Sequence, residues 1–108
     1  EAWCLYFQDA ELAAQQGDWA EVANLADRAL ALEDQSNEVS ELFVFIEGYL
    51  RMGRMGRAKD LSATLSVRSG GYFDNAICGL WQALDQELGE DFARDFDLTP
   101  IYGQYCED

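Results

Sequence analysis

Histidine is missing from the 108 residues. A Ser-His-Asp triad, a Cys-His dyad and a His-ligated zinc are therefore excluded at the outset. Proline occurs once, which together with the lack of histidine argues against a loop-rich scaffold. Bases are scarce as well, with 7 Lys plus Arg against 21 Asp plus Glu. The resulting net charge of −14 and pI near 4.1 exclude a phosphate-tracking surface for DNA or RNA. No apolar run approaches the roughly 18 residues that a membrane-spanning helix needs, and no signal-peptide pattern opens the chain. It begins with Glu1 rather than Met, which predicts a processed chain or an excised domain. Three cysteines, Cys4, Cys78 and Cys106, are an odd number whose spacings fit no metal or redox motif. They read as small apolar side chains in a reducing compartment, with a Cys4–Cys106 bridge tying the ends as the alternative.

What is present points to one domain over 1–108. At 49% apolar and 13% aromatic, the chain can bury a core and is not disordered. The charge is unevenly placed. Residues 1–36 hold eight acids against the single base Arg28, a net of −7. Residues 37–71 hold Glu38, Glu41, Glu47 and Asp60 against Arg51, Arg54, Arg57, Lys59 and Arg68, a net of +1. Residues 72–108 hold nine acids against Arg94, a net of −8. The bases of the middle stretch are expected to be neutralised by acids of neighbouring helices at a turn; a small anion-binding spot is the alternative.

An internal repeat organises the chain. GDWAEVANLADRALAL from Gly17 aligns with GRMGRAKDLSATLSV from Gly53 at an offset of 36 residues. Val22 then meets Ala58, Leu25 meets Leu61 and Ala29 meets Leu65. Val39, Phe43, Ile46 and Leu50 step by four, three and four, one face of a helix. Leu42, Phe45 and Tyr49 form a second apolar face on the same segment, which predicts a helix packed on both sides in the middle of the domain. Phe73, Ile77, Leu80, Trp81, Leu84 and Leu88 give a further stripe. Asp18 is suited to cap a helix with Glu21 in capping-box register, and Gly17 and Gly53 suit the left-handed conformation that closes one. The expected fold class is all-α, with helices at 3–16, 19–33, 38–52, 55–67 and 72–88, a short sixth at 90–96, and an irregular tail over 97–108.

The stretch GDWAEVANLADRAL, preceded by a helix with small residues at Ala10 and Ala13, resembles the tetratricopeptide repeat. Tyr49 and Ala58 stand where that family favours an aromatic and an alanine. Two units, 3–34 and 38–68, are recognisable. The family's proline after the second helix is missing, and Phe45 and Ile46 are bulky where a small residue is usual. The resemblance implies a right-handed solenoid of stacked antiparallel hairpins, and a non-catalytic module that binds a protein or peptide. A second resemblance rests on WCLYFQDAELAAQQGDW, FVFIEGYLRMGR and ICGLWQAL. These look like the soluble C-terminal segment of bacterial polytopic membrane proteins similar to glycosyltransferases. It implies a domain with no chemistry of its own that packs on its parent or a partner. The two resemblances together imply a cytoplasmic protein, or a soluble domain attached to a bacterial inner membrane protein.

The expected partner-binding residues are the aromatics Trp3, Tyr6, Phe7, Phe45, Tyr49 and Trp81, on a concave or end surface. For Trp19 and Trp81, filling the core or capping the ends of the stack is the favoured reading. A two-unit stack also leaves apolar ends bare, and a homodimer is one way to hide them. No catalytic residue, metal or cofactor is expected. Glu90 with Asp91, Asp95 with Asp97, and Glu107 with Asp108 are paired carboxylates, but in polar stretches where neither acid would be desolvated, as acid–base work requires. Asp9, Asp27 and Glu47 lie in or beside apolar helical faces and are expected to cap turns or to pair with Arg51 or Arg54. Gly70-Gly71 lacks the lysine and hydroxyl of a phosphate loop and reads as a hinge.

Overall fold

The bend at Gly17 and the bend at Gly53 are the same structure. In the computed structural model, which describes residues 2–106, both glycines adopt φ 74°, a left-handed conformation that costs glycine no steric clash. At the first bend Gly17 N–H donates to Ala14 O at 3.0 Å and Asp18 N–H to Ala13 O at 2.8 Å. At the second, Gly53 N–H donates to Leu50 O at 3.1 Å and Arg54 N–H to Tyr49 O at 2.8 Å. This paired closure satisfies the last carbonyls of a helix and turns the chain back on itself. It joins α1 (Ala2–Gln15) to α2 (Trp19–Leu30), and α3 (Leu42–Arg51) to α4 (Met55–Arg68). The same closure recurs after α4, where Gly70 N–H reaches Val67 O and Gly71 N–H reaches Ser66 O. Then come α5 (Asp74–Leu88) and α6 (Thr99–Tyr105). The fold is all-α, 74% helical, with no strand among the described residues. None of these helices is long and apolar enough to cross a membrane.

The capping follows from the side chains. Asp18 Oδ1 accepts from Glu21 N–H at 3.2 Å and so caps α2. Glu21 does not complete the reciprocal box; its carboxylate accepts from Asn24 instead, at 3.4 Å. Arg54 has nearly the backbone geometry of Asp18, but it carries no oxygen to cap α4 and its guanidinium turns elsewhere.

Helix α3 lies in the middle, as its two apolar faces predict, against α1, α2, α4 and α5. Its Leu42, Phe45, Ile46, Tyr49 and Leu50 are all buried. The α2–α3 contact is close because of Gly48, where any Cβ would enter the van der Waals envelope of Val22 Cγ1, with Ala23 N 3.3 Å away. Small residues are buried on both α1 (Ala10, Ala13) and α2 (Ala23, Ala26, Ala29). Buried side chains of all six helices join one core.

Two expectations about the C-terminal part are corrected. In place of a helix over 90–96 there is a 3₁₀ turn at Gly89–Asp91 and then irregular chain, with Ala93 at φ 55°. The tail is not irregular over its described length, because α6 forms there. Asp97 Oδ1 accepts from Thr99 N–H at 3.0 Å at the start of α6, and Pro100 sits in the first turn, where a missing N–H is no loss. Helix α6 runs back along α5, with Tyr102 Oη donating to Asp85 Oδ2 at 3.0 Å.

The cysteines are also corrected. Cys78 on α5 and Cys106 at the end of α6 are bonded to each other, with Cα atoms 5.1 Å apart, and Cys4 is free and exposed. The pairing is between α5 and its antiparallel neighbour, not between the chain ends.

Candidate functional site

The six aromatics expected to face a partner do not make one surface. Phe45, Tyr49 and Trp81 have no exposure and Trp3 only 4%. Trp3 Nε1 donates to Glu41 Oε1 at 2.6 Å, and its ring meets Phe45 edge-on at a centroid distance of 5.5 Å. Trp81 Nε1 donates to the buried Ser62 Oγ at 3.1 Å. These four rings offer nothing to a partner in this conformation; they hold the stack together. The physical reason is that Phe45 and Tyr49 lie on the packed faces of α3, Trp81 lies under the segment after α5, and Trp3 lies on the packed face of α1, where Glu41 takes its N–H. Tyr6 and Phe7 are half-buried against the core. Trp19 is half-buried too, with the Arg51 guanidinium 4.7 Å from its ring centre.

The basic residues of the middle stretch are matched by acids. Arg51 donates through Nε to Glu47 at 2.8 Å and through both terminal nitrogens to Glu87 at 2.7 and 3.0 Å. The bidentate pair links α3 to α5; it raises the Arg51 pKa and holds the Glu87 carboxyl low. Asp27 takes three partners. Tyr49 Oη donates to it at 2.7 Å, Arg54 at 3.0 and 3.2 Å, and Arg57 at 3.2 Å. Burial alone would raise the Asp27 pKa, but the hydrogen bonds from Tyr49 and Arg54 and the charges of Arg54 and Arg57 outweigh it and lower the pKa. Burial and the adjoining carboxylate push the Tyr49 hydroxyl up to about 12. Each of the three turn arginines is therefore committed to a carboxylate.

A group whose carboxylate is favoured by folding adds stability above the ordinary carboxylate range and loses it as pH falls through its lowered native value. Asp27→Asn is accordingly expected to cost about 1 kcal/mol at neutral pH. The difference from the wild type should shrink as pH falls below the ordinary carboxylate range and through the lowered native value. Urea unfolding across the acid range checks this; a difference independent of pH removes the charge-based account.

An open groove of about 510 Å³ lies over this network, lined by Leu30, Gln35, Tyr49, Arg57, Asp60, Leu61 and Thr64. In it Tyr49 and Arg57 donate to Asp27 and Gln35 to the Leu30 and Leu32 carbonyls, and Tyr49 is buried. The paired carboxylates do no better as acid–base candidates. Glu90, Asp91, Asp95 and Asp97 are exposed. Asp91 pairs with Arg94. The Asp97 carboxyl is held low by the Thr99 amide, the reverse of what a general acid needs. Glu107 and Asp108 lie outside the described residues.

Sequence reasoning missed which apolar side chains the fold leaves exposed: Val67 and Tyr72 around the end of α4, Met52 after α3, and two leucines on α1. Leu5 is 61% and Leu12 54% exposed. They stand seven residues apart on the side of α1 that faces away from Ala10 and Ala13. The spacing was a legible signal, since two leucines at i and i+7 opposite the small-residue seam point outward. Elsewhere, hollows of about 380 and 220 Å³ flank Trp3, on the face of α1 that carries Ala10. The first is lined by Ala2, Ala31, Leu32, Glu33 and Asp34, the second by Cys4, Asp34, Gln35, Ser36 and Asn37.

Compared with protein-family models, curated proteins and solved structures, the chain matches none.

Proposed function

We propose that the chain is a non-catalytic protein-binding module, made of stacked helical hairpins of the tetratricopeptide type, and that it docks through the outer face of α1. The carrying observation is the exposure of Leu5 and Leu12 on the helix that ends the stack. Apolar side chains left in water there gain about 25 cal/mol for each Å² that a partner covers. Scattered apolar residues on a surface need no explanation, but these two share one helical face, seven residues apart. The repeated bends after α1, α3 and α4 support the hairpin-repeat part of the reading. The groove over Tyr49 is the weaker docking surface, because its arginine, Arg57, is already paired with Asp27 and Tyr49 is buried.

The Cys78–Cys106 bridge supports an oxidising compartment rather than the cytoplasm, since disulfides persist where thiols are not kept reduced.

The reading is tested by site-specific photo-cross-linking. A cross-linker placed at Gln8, between the two leucines on α1, is expected to capture a defined partner protein. Leu5→Ser with Leu12→Ser should abolish that adduct, and a cross-linker at the exposed Gly79 of α5 should give none. Equal capture from both positions, or capture indifferent to the leucines, would set the reading aside.

A further inference from the structure

Helix α6 is weakly seated. It has seven residues and packs mainly on α5, through the buried Ile101 and Tyr105 and the Tyr102–Asp85 hydrogen bond. Among the described residues no ion pair ties 94–106 to the helices α1 to α5, because Arg94 pairs with Asp91 just before it. Charge opposes the seating: Asp95 and Asp97 precede α6, and α5 beneath it carries Asp74, Asp85 and Glu87. The chain enters this segment through Ala93 at φ 55°, a left-handed conformation that only glycine adopts without cost. The Cys78–Cys106 bond is the covalent tie across the contact, and both cysteines are partly exposed, open to an external thiolate. Helix α5 is fixed independently, to α3 by the two-pronged Arg51–Glu87 pair and to α4 by the Trp81–Ser62 hydrogen bond. We infer that residues 94–106 form a redox-controlled strap, latched by Cys78–Cys106, that swings off α5 about Ala93 on reduction and reseats on reoxidation. The device does not depend on α1 being the docking face. Its reductant is a dithiol. One thiolate of the dithiol attacks a sulfur of the bridge, the S–S bond breaks, and the other cysteine leaves as a thiolate and takes up a proton. The second thiolate then resolves the mixed disulfide; the remaining cysteine is protonated and the reductant departs as a cyclic disulfide, having given the protein two electrons. Opening lifts Phe96 from the Trp81 ring and brings Ile101 and Tyr105 into water, so the reduced protein presents apolar surface that the oxidised one hides.

The test uses the whole chain with Cys4→Ser, which removes the exposed thiol that would otherwise exchange with the bridge. Dithiothreitol is added without denaturant, and the protein is then reoxidised with glutathione disulfide. Reduction is expected to speed amide exchange in α6 by about tenfold or more, while exchange in α2, α3 and α4 changes by less than about twofold. Chymotrypsin should begin to cut after Tyr102. The Trp81 indole N–H resonance should shift, because Phe96 stacks on that ring. Reoxidation should restore all three readouts. Cys78→Ser with Cys106→Ser should show the open behaviour with or without dithiothreitol, which separates loss of the bond from any other action of the reagent. If α6 stays protected after reduction, the bridge is a staple on a helix that seats itself. If α2, α3 and α4 lose protection together with α6, the bridge supports the whole fold. An unmoved Trp81 resonance would mean that only α6 frays and no strap swings. Each of these results overturns the inference, as does a bridge that dithiothreitol reduces only in denaturant, or protection that reoxidation does not restore.

Discussion

Trp81→Ala is expected to destabilise the chain by about 3–5 kcal/mol, a large share of the roughly 5–15 kcal/mol that holds a domain of this size folded. The indole has no exposure and sits under the irregular segment after α5. It stacks with Phe96 at a centroid distance of 6.1 Å and meets Phe92 at 6.4 Å. Truncation leaves a cavity between α5, α4 and that segment, which close-packed neighbours cannot fill by relaxing. It also strips Ser62 of its partner, and Ser62 Oγ is fully buried. A buried hydroxyl left unpaired costs about 1–3 kcal/mol. Trp81→Phe separates the two effects: most of the packing stays, only the N–H is lost, and about 1–2 kcal/mol is expected. Urea unfolding followed by circular dichroism measures both. A loss under about 1 kcal/mol for Trp81→Ala would mean that α5 is not packed as described.

Removal of the α5–α6 bridge has the next largest effect. Cys78 and Cys106 close a loop of 28 residues in sequence, and the chain-entropy account gives about 3–4 kcal/mol for a loop of that length. Reduction with excess dithiol, or Cys78→Ser with Cys106→Ser, is therefore expected to lower the midpoint of thermal unfolding by on the order of 15 °C. The loss should be local first. Helix α6 has seven residues, too few to hold helical structure without tertiary support. What remains to seat it is Ile101, Tyr105 and the Tyr102–Asp85 hydrogen bond. Hydrogen exchange should show α6 amides losing protection in the reduced protein while α2 and α3 keep theirs. Thiol titration gives the companion measurement. One reactive cysteine, Cys4, is expected in the native oxidised protein, and all three after reduction in denaturant. Three reactive thiols in denaturant without reductant would show the bridge to be absent.

The helices and bends were legible for a local reason. Asp18, Gly17 and Gly53 act on neighbours three to five residues away, so their roles follow from spacing alone. The double apolar face of α3 likewise announces a helix covered on both sides. The neutralisation of Arg51, Arg54 and Arg57 was foreseeable in kind, because bases near helices rich in acids find partners. The particular partners were not. Glu87 lies 36 residues from Arg51, and Asp27 lies 27 from Arg54.

The residues assigned to a partner show where that reasoning ended. Aromatic identity fixes how much area a ring can bury but not what covers it, and Trp3 is covered because Glu41, 38 positions away, comes to its indole N–H. Leu5 and Leu12 look like core residues in composition and are surface residues in space. The same limit applied to the cysteines, whose pairing depends on α6 returning along α5, and to α6 itself, a short segment whose helix is made by burial of Ile101 and Tyr105. By itself the sequence determined the helical periods, the glycine bends at Gly17 and Gly53 and the placement of charge, all of which are set by near neighbours. Only the tertiary structure decided which apolar side chains were left in water and which cysteines met, because those outcomes depend on contacts between distant parts of the chain.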